Sequence, residues 1–282
     1  VTEFHPDSDF ITLANGDDVT YKVLIVAPGL KVDYDAVPGL QDTLGQNGVS
    51  CNYRYDLAPY SWECIKNLRS GKAIFTQPPM PIKCAGAPQK ALYLAADYWR
   101  EQGCLNAIDI QFRNAGAVLF GVADFVPVLN SYVEKYGAKL EFNSNLIHVD
   151  GPNKIATFKV TDAEGNVTEV EESFDYLHAV PPQTSPDFIK NSPLSNEAGW
   201  LDVNQDTLQH NTYPNIFGLG DVISAPNAKT VFDHLLDHLI LNGGVIDGIR
   251  SEQLKELANL GSNNFRSIGD LENDHGCREL LP

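Results

Sequence analysis

Short apolar runs of strand length open the chain. The runs at 10–14 and 19–26 flank Asn15-Gly16, a residue pair that favours a tight turn between two antiparallel strands. The second run ends in Ala27-Pro28-Gly29, and a proline-glycine turn of this kind often follows a strand that leaves its sheet. The pattern therefore predicts a hairpin near the N-terminus and an exit from its sheet after residue 26.

The central part of the chain alternates between apolar runs and stretches with the periodicity of an amphipathic helix. The predicted elements are, in order, a strand at 73–76, a helix at 87–102, a strand at 106–112, a helix at 121–136 and a strand at 138–142. Gly103 and Gly137 stand where glycine commonly ends a helix. Strands that alternate with helices indicate a parallel sheet with right-handed connections.

Turn residues and alternating strands follow the central block. Asp150-Gly151 and Glu164-Gly165-Asn166 separate these strands, and a further strand at 174–180 leads into Pro181-Pro182, a second exit. A last strand at 215–219 closes with Gly220-Asp221. Because exit turns bracket the central block, we predict one domain inserted into another.

Composition narrows the classes of function. The chain has 282 residues, of which 43% are apolar and 20% are charged, and this fits a globular protein of two domains. The formal net charge of −17 repels phosphate backbones, so nucleic-acid binding is not expected. No apolar run reaches the roughly 18–20 residues that a membrane span requires.

Cys84 is the most informative of the five cysteines. No two of them form a C-x-x-C pair, which disfavours zinc and thioredoxin-like sites. Cys84 stands between a proline-rich loop and the helix predicted from Ala87. The positive end of that helix, together with Lys83 and Lys90, favours a thiolate over a thiol. We interpret Cys84 as a candidate reactive thiol, with a structural cysteine in a connecting loop as the alternative.

Asp221 is the second candidate. It follows Gly218-Leu219-Gly220 at the carboxyl end of a predicted parallel strand, where open α/β sheets bind their ligands. Its carboxylate is suited to accept hydrogen bonds from sugar or ribityl hydroxyls. A cap on a helix or turn is an equally good interpretation, and the pattern leaves both open.

Two other patterns give weaker evidence of a functional site. The glycines from Gly116 to Gly121 lack the G-x-G-x-x-G spacing of a dinucleotide-binding loop, so NAD binding is not predicted there. His234 and His238 stand four apart on a predicted helix beside two aspartates, and we interpret them as a solvated acidic face. No metal site is predicted.

Several long segments together carry a resemblance to a known family. They are YDLAPYSWECIKNLRSG (55–71), GKAIFTQPPMPIKCAGAPQKALYLAADYWR (71–100), the stretch 175–222 and PNAKT (226–230). These segments resemble the sulfide:quinone oxidoreductases, particularly the mitochondrial kind and its bacterial relatives. The segment around Cys84 resembles the redox-cysteine segment of that family, and the resemblance runs from Val1 to about Thr230.

The resemblance implies an α/β fold of the Rossmann-like, two-dinucleotide-binding-domain flavoprotein type, with FAD as the cofactor. Residues 1–45 and 176–231 would form part of the FAD-binding domain, and 46–175 would form the second, NAD-like Rossmann domain. Cys84 would be a redox cysteine that takes the sulfane sulfur as a persulfide. The residues implied at the cofactor are Val1, Pro28, Gly29, Gly220, Asp221, Lys229 and Val231.

The resemblance also implies an activity and a setting. Sulfide would be oxidised to a persulfide or polysulfide, and its electrons would pass through FAD to a quinone. A small thiol or sulfite would accept the sulfur. Peripheral membrane association is expected for the family, either at the matrix side of the mitochondrial inner membrane or at the bacterial cytoplasmic membrane.

Two departures from the family qualify this expectation. The family begins with a strand and a glycine-rich loop for the FAD pyrophosphate, which this chain lacks, so the first domain is expected to be incomplete. The stretch 232–282 does not resemble the family, and we predict a divergent helical tail there. Cys277 is the only cysteine in this stretch and the candidate second redox cysteine, although its neighbours do not match. Cys51 is a weaker candidate for a sulfur-shuttle role.

Two alternative functions stay open on the sequence. One is a truncated or inactive family member that acts as a non-catalytic protein. The other is a different FAD-dependent disulfide reductase or NADH–quinone reductase, which the missing C-x-x-C pair and glycine fingerprint disfavour.

Overall fold

The computed structural model describes residues 1–224. The strands are β1 (Glu3–His5), β2 (Phe10–Thr12), β3 (Asp18–Thr20), β4 (Leu24–Val26), β5 (Lys31–Val32), β6 (Val49–Ser50), β7 (Gly71–Gln77), β8 (Ile108–Asn114), β9 (Lys139–Glu141), β10 (Ser144–Asp150), β11 (Ile155–Thr161), β12 (Val167–Ser173), β13 (Tyr176–His178), β14 (Gln183–Thr184) and β15 (Ile216–Gly218). The helices are α1 (Leu40–Thr43), α2 (Ala58–Asn67), α3 (Ala87–Glu101), α4 (Val126–Tyr136) and α5 (Asp187–Lys190).

The chain divides into two units. The first contains Val1–Gly29 and the described residues from Ser185 onward, and the second contains Leu30–Thr184. The two ends of the described chain thus share a unit, but 30–45 and 176–184 lie in the second unit rather than in the expected outer pieces. The reason is strand pairing: β13 lies between β6 and β7 in one sheet, and β5 pairs with β14. The predicted tail 232–282 lies outside the described residues.

The second unit is built on a parallel five-stranded sheet with the order β6-β13-β7-β8-β9. Successive side chains of a strand point to opposite faces, and β7 shows this clearly. Ala73 and Phe75 pack with buried residues of α3 and α4, such as Leu92 and Val133. Ile74, between them, packs instead against the antiparallel sheet β10-β11-β12. This arrangement confirms the predicted Rossmann-like α/β fold.

Most predicted elements of the second unit are present, and α4 shows the main shift. The sequence pattern predicts a helix from 121, but the helix begins at Val126 after a short 3-10 turn at Ala123–Phe125. Pro127 stands in the first turn, where a missing N–H is tolerated, so the helix starts just before it. Gly137 ends the helix in a left-handed conformation with φ 64°, as predicted.

The first unit contains the sheet β1-β2-β3 and the parallel pair β4 and β15. The hairpin across Asn15-Gly16 is confirmed by the antiparallel pairing of β2 with β3. The run 19–26 is not one strand, because it breaks after Thr20 and continues as β4 beside β15. The core of this unit includes the fully buried Leu201, Leu208 and Ile216.

Arg113 links the parallel sheet of the second unit to the antiparallel sheet that covers it. This buried side chain donates hydrogen bonds to Gln111 Oε1 at 3.1 Å, Ser144 Oγ at 3.1 Å and Glu172 Oε1 at 2.6 Å. Its guanidinium carbon also lies 4.5 Å from the centre of the Phe158 ring. One side chain on β8 therefore contacts residues of β10, β11 and β12.

Candidate functional site

Cys84 lies in the loop that joins β7 to α3. Its backbone has a φ of 49°, which is in the left-handed region, and its side chain is exposed. The carbonyl of Cys84 accepts a hydrogen bond from the backbone N–H of Ala87 at 2.7 Å, which closes a turn at the start of α3. A non-glycine residue in this conformation is uncommon, and its neighbours must hold it there.

Two side chains from distant parts of the sequence hold the Cys84 loop. The Tyr53 hydroxyl donates a hydrogen bond that is shared between two carbonyl oxygens, those of Lys83 at 2.8 Å and Cys84 at 3.1 Å. The buried Gln183 accepts a hydrogen bond from the Lys83 N–H at 2.8 Å. Burial, reinforced by the neighbouring thiols of Cys84 and Cys51, raises the pKa of Tyr53, so its hydroxyl remains a donor at neutral pH. Sequence reasoning missed Tyr53 and Gln183, since nothing local marks either residue as a partner of Cys84.

Of the two lysines predicted to favour a thiolate, Lys90 is the one that the structure brings to the sulfur. Its ammonium nitrogen lies 3.9 Å from Cys84 Sγ. A cation at this distance stabilises a thiolate, both when it attacks and when it leaves. Lys83 contributes its backbone to the loop through the bonds to Tyr53 and Gln183. The site thus combines an exposed sulfur, a nearby cation and a constrained backbone.

The other described cysteines have different surroundings. Cys51, Cys64, Cys84 and Cys104 are all free thiols, and Cys84 alone among them is exposed. Burial raises the pKa of Cys51 to about 11, and the hydroxyl of Tyr34 donates to its sulfur at 3.9 Å. Cys51 is therefore a protonated, shielded thiol at neutral pH. Cys277, the candidate partner, lies outside the described residues.

We expect thiol alkylation to discriminate between Cys84 and Cys51. At pH 7.5, iodoacetamide should modify Cys84 at least about 100-fold faster than Cys51, because alkylation requires an accessible thiolate. Peptide mass spectrometry over time measures both rates in one sample. In urea the two rates should converge, which controls for local sequence effects. Equal rates in the folded protein would contradict the exposure and burial described above.

The second candidate centre is the carboxyl edge of the β4–β15 pair. The Leu219 N–H donates to the Val26 carbonyl at 3.1 Å, so the turns that follow the two strands begin side by side. Gly29 and Gly220 lie in these turns with φ of 74° and 71°, and within residues 1–224 no atom beyond the adjoining residues lies within 4 Å of a Cβ built on either. The exposed Asp221 comes next, in the 3-10 turn Gly220–Val222.

The geometry of this edge suits a ligand that carries hydroxyl groups. As far as residues 1–224 are concerned, the two backbone turns leave space for a ligand, and only glycine adopts their left-handed conformation without strain. A carboxylate at the carboxyl edge of parallel strands is a common acceptor for sugar hydroxyls in α/β proteins. Pro28 lies in the first of these turns, and Val1 is an exposed residue of the same unit. Lys229 and Val231 lie outside the described residues.

Cys84 belongs to the second unit and Asp221 to the first.

Within residues 1–224, no group of three or more His, Cys, Asp or Glu side chains is arranged to hold a metal ion. His234 and His238 lie outside this range. The described helices include none that is both long enough and apolar enough to cross a bilayer.

Comparison with known proteins gives extended matches to one family. The chain is 39% identical over 249 residues to the mitochondrial sulfide:quinone oxidoreductase of Dictyostelium discoideum, a match that covers 88% of this chain and 54% of that protein. It is 35% identical over 230 residues to the mitochondrial sulfide:quinone oxidoreductase of Mus musculus, covering 82% of this chain and 51% of that protein. The chain therefore spans about half the length of these relatives. No protein-family model matches it.

A solved structure extends the comparison to the fold. The sulfide:quinone oxidoreductase from the hyperthermophilic bacterium Aquifex aeolicus superposes with a TM-score of 0.65 at 17% identity, covering 93% of this chain and 60% of that chain. At this identity the likeness concerns the fold alone. Together, the sequence matches confirm the resemblance inferred from the segments around Cys84 and Asp221, and the superposition agrees with the predicted fold class.

Proposed function

We propose that this chain, which is related over most of its length to the sulfide:quinone oxidoreductases, oxidises sulfide through Cys84 and FAD and passes the electrons to a quinone. The observation that carries the proposal is the Cys84 site. Its sulfur is exposed, lies 3.9 Å from the Lys90 ammonium and sits in the segment that resembles the redox-cysteine segment of the family. The Lys90 ammonium would attract an anionic nucleophile such as hydrosulfide to this sulfur, and the attack would require Cys84 to be oxidised first, as in a disulfide with a second cysteine.

The proposed reaction balances at Cys84. One Cys84 thiol, one hydrogen sulfide and one quinone give one Cys84 persulfide and one quinol. The new bond joins Cys84 Sγ to the sulfur of sulfide, and two electrons and two protons leave these groups and appear on the quinone. Lys90 would stabilise the Cys84 thiolate whenever the sulfur is released. Tyr53 and Gln183 would keep the loop in the conformation that exposes the sulfur.

The residues at the carboxyl edge of β4 and β15 fit FAD in chemistry. FAD, when bound, supplies a two-electron acceptor between sulfide and quinone. Asp221 would accept a hydrogen bond from a hydroxyl of the cofactor, and the open turns at Gly29 and Gly220 would allow close backbone approach. Val1, Pro28, Lys229 and Val231 complete the set that we propose at the cofactor, and the pairing of Cys277 with Cys84 also remains a proposal.

We expect alanine at Asp221 to weaken FAD binding by roughly tenfold or more, because a hydrogen bond to a charged acceptor contributes about 1.5–3 kcal/mol. Titration of the purified chain with FAD, followed by flavin fluorescence, measures the affinity. Asp206→Ala is the matched control, since Asp206 is an exposed turn aspartate of the same unit. Equal affinities for Asp221→Ala and the wild type would remove Asp221 from the cofactor site.

The same preparation tests the proposed activity. The chain with FAD should be yellow, should bleach on addition of sulfide and should recover its colour with a quinone. A chain that binds no FAD and reduces no quinone would contradict the proposed activity. That outcome would instead favour a family member that acts as a non-catalytic protein.

Substrates, partners and location follow the same proposal. Sulfide and a quinone are the proposed substrates, and a small thiol or sulfite is the proposed sulfur acceptor. The relatives from Dictyostelium discoideum and Mus musculus are named as mitochondrial proteins, which supports a mitochondrial location. Peripheral association with the matrix side of the inner membrane, or with the bacterial cytoplasmic membrane, is the finer proposal.

A further inference from the structure

An open groove of about 750 Å³ runs between α2 and α3 in the second unit. Its apolar wall is formed by Trp62 and Ile65 of α2 and by Leu94 and Tyr98 of α3. Leu94 is 74% exposed and Trp62 is 45% exposed, and the Trp62 and Tyr98 rings meet edge to face with their centres 4.8 Å apart. Large apolar side chains with this exposure, gathered along one groove, are typical of a surface that binds a ligand.

The groove is connected to Cys84 through Lys90. The Lys90 side chain lines the groove, and its ammonium nitrogen lies 3.9 Å from Cys84 Sγ. Asn52, a second lining residue, donates a hydrogen bond to the Ala87 carbonyl at 2.9 Å, at the base of the Cys84 turn. A molecule in the groove that reaches Lys90 would therefore present its end to the sulfur.

The charges of the groove differ between its two ends. Arg54 and Lys90 line it near the Cys84 loop, whereas Asp97 and Glu101 line it near the end of α3. Arg54 pairs with Asp56, so its charge is largely offset. In residues 1–224, no carboxylate pairs with Lys90. Among the described residues, Asp97 and Glu101 share a single cationic partner, Arg100, at 2.9 and 3.7 Å, so the far end keeps a net negative charge. The groove thus attracts an anionic group at the Cys84 end and repels one at the far end.

We propose that this groove binds the acceptor of the sulfane sulfur, and that the acceptor is a thiol with an apolar or aromatic body. The inference rests on the proposed function, in which Cys84 carries the sulfur as a persulfide. The apolar body would lie against Trp62, Leu94 and Tyr98, and the thiolate would meet Lys90. Sulfite has no apolar part to fill the groove, and a body that carries carboxylates would be repelled by Asp97 and Glu101.

The transfer step is an exchange at sulfur without net oxidation. The acceptor thiolate attacks the outer sulfur of the Cys84 persulfide, and a new sulfur–sulfur bond forms on the acceptor. The bond between that outer sulfur and Cys84 Sγ breaks, and its electron pair stays on Cys84 as a thiolate. Lys90 stabilises this leaving thiolate. The products are an acceptor persulfide and free Cys84, and no oxidant or reductant is consumed.

The test begins with chemical loading of the purified chain, so that neither FAD nor quinone is required. Sodium tetrasulfide converts Cys84 to a persulfide, excess reagent is removed, and peptide mass spectrometry follows the loss of the extra sulfur from the Cys84 peptide. The acceptors compared are 2-naphthalenethiol and free cysteine. The transfer rate to 2-naphthalenethiol should saturate with its concentration, whereas the rate to cysteine should rise linearly.

Leu94→Glu is the diagnostic variant. It should slow transfer to 2-naphthalenethiol by about tenfold at low concentration, with much less effect on cysteine, because the change places a charge where the apolar body binds. Val128→Glu is the matched control, since Val128 is a 59% exposed valine on α4 that does not line the groove. Leu94→Gln repeats the comparison with a neutral side chain and should lie between Leu94→Glu and the wild type.

Contrary results are distinguishable from a failure of the proposed function. A linear rate with 2-naphthalenethiol, or equal slowing by Leu94→Glu and Val128→Glu, would overturn the groove as the acceptor site. Loss of quinone reduction with intact, saturable transfer would leave the groove in place and count only against the overall reaction. Failure of Cys84 to hold a persulfide would overturn both.

Discussion

Serine in place of Cys84 is expected to abolish sulfide-dependent quinone reduction, with a loss of at least about 1000-fold. A hydroxyl does not form a bond to sulfane sulfur under these conditions, and it is a far weaker nucleophile than a thiolate. The side chains are nearly isosteric, so the left-handed turn at φ 49° and its bonds from Tyr53 and Ala87 should persist. The FAD-loaded protein, assayed by quinone absorbance, gives the rate.

A second readout separates this prediction from cofactor binding. In the Cys84→Ser chain treated with tetrasulfide, the peptide around residue 84 should carry no extra sulfur. Cys104→Ser is the matched control, because Cys104 is a free, partly exposed cysteine at the opposite end of α3. It should retain the activity and the persulfide at Cys84. Turnover at the wild-type rate in Cys84→Ser would remove Cys84 from the mechanism.

Alanine in place of Arg113 is expected to lower the free energy of unfolding by about 3 kcal/mol. The change leaves Glu172 without one of its two cationic partners, since Lys72 Nζ also contacts Glu172, at 2.6 Å. It also leaves Ser144 without the hydrogen bond from Arg113 and exposes the face of the Phe158 ring. Urea unfolding followed by circular dichroism and tryptophan fluorescence measures the loss.

An exposed ion pair on the same sheet provides the control. Lys139 contacts Asp109 at 2.7 Å, but its side chain is 61% exposed. Surface pairs of this kind contribute little to stability, so Lys139→Ala should unfold at nearly the wild-type urea concentration. If Arg113→Ala proved as stable as Lys139→Ala, Arg113 would not stabilise the packing of the antiparallel sheet on the parallel one. If the free energy of unfolding depended less steeply on urea concentration in Arg113→Ala than in the wild type, the two layers would no longer unfold together.

The local elements could be predicted from the sequence because each depends on residues close together in the chain. The helix at 87–102 needs only its apolar periodicity and Gly103, and the structure has α3 at Ala87–Glu101. The same holds for the hairpin across Asn15-Gly16 and for the glycine that ends α4. Cys84 was also identifiable, since its proline-rich loop, its lysines and the helix after it are contiguous.

Long-range pairing determined where the units divide. No local signal distinguishes a strand that stays with its neighbours from one that crosses into another sheet. Residues 176–184 belong to the second unit because β13 lies between β6 and β7. Leu24–Val26 pairs with β15 instead of extending the predicted hairpin. These choices depend on which distant strand offers matching hydrogen bonds and apolar faces.

By itself, the sequence determined the α/β class, the order of most elements, the reactive candidate Cys84 and the ligand candidate Asp221. The tertiary structure alone decided what surrounds them. Tyr53 and Gln183 reach the Cys84 loop across 31 and 100 residues of sequence, and α2 meets α3 to form the groove beside Lys90. Hydrogen bonds and side-chain packing act over a few ångströms of space, whereas sequence patterns record only neighbours along the chain.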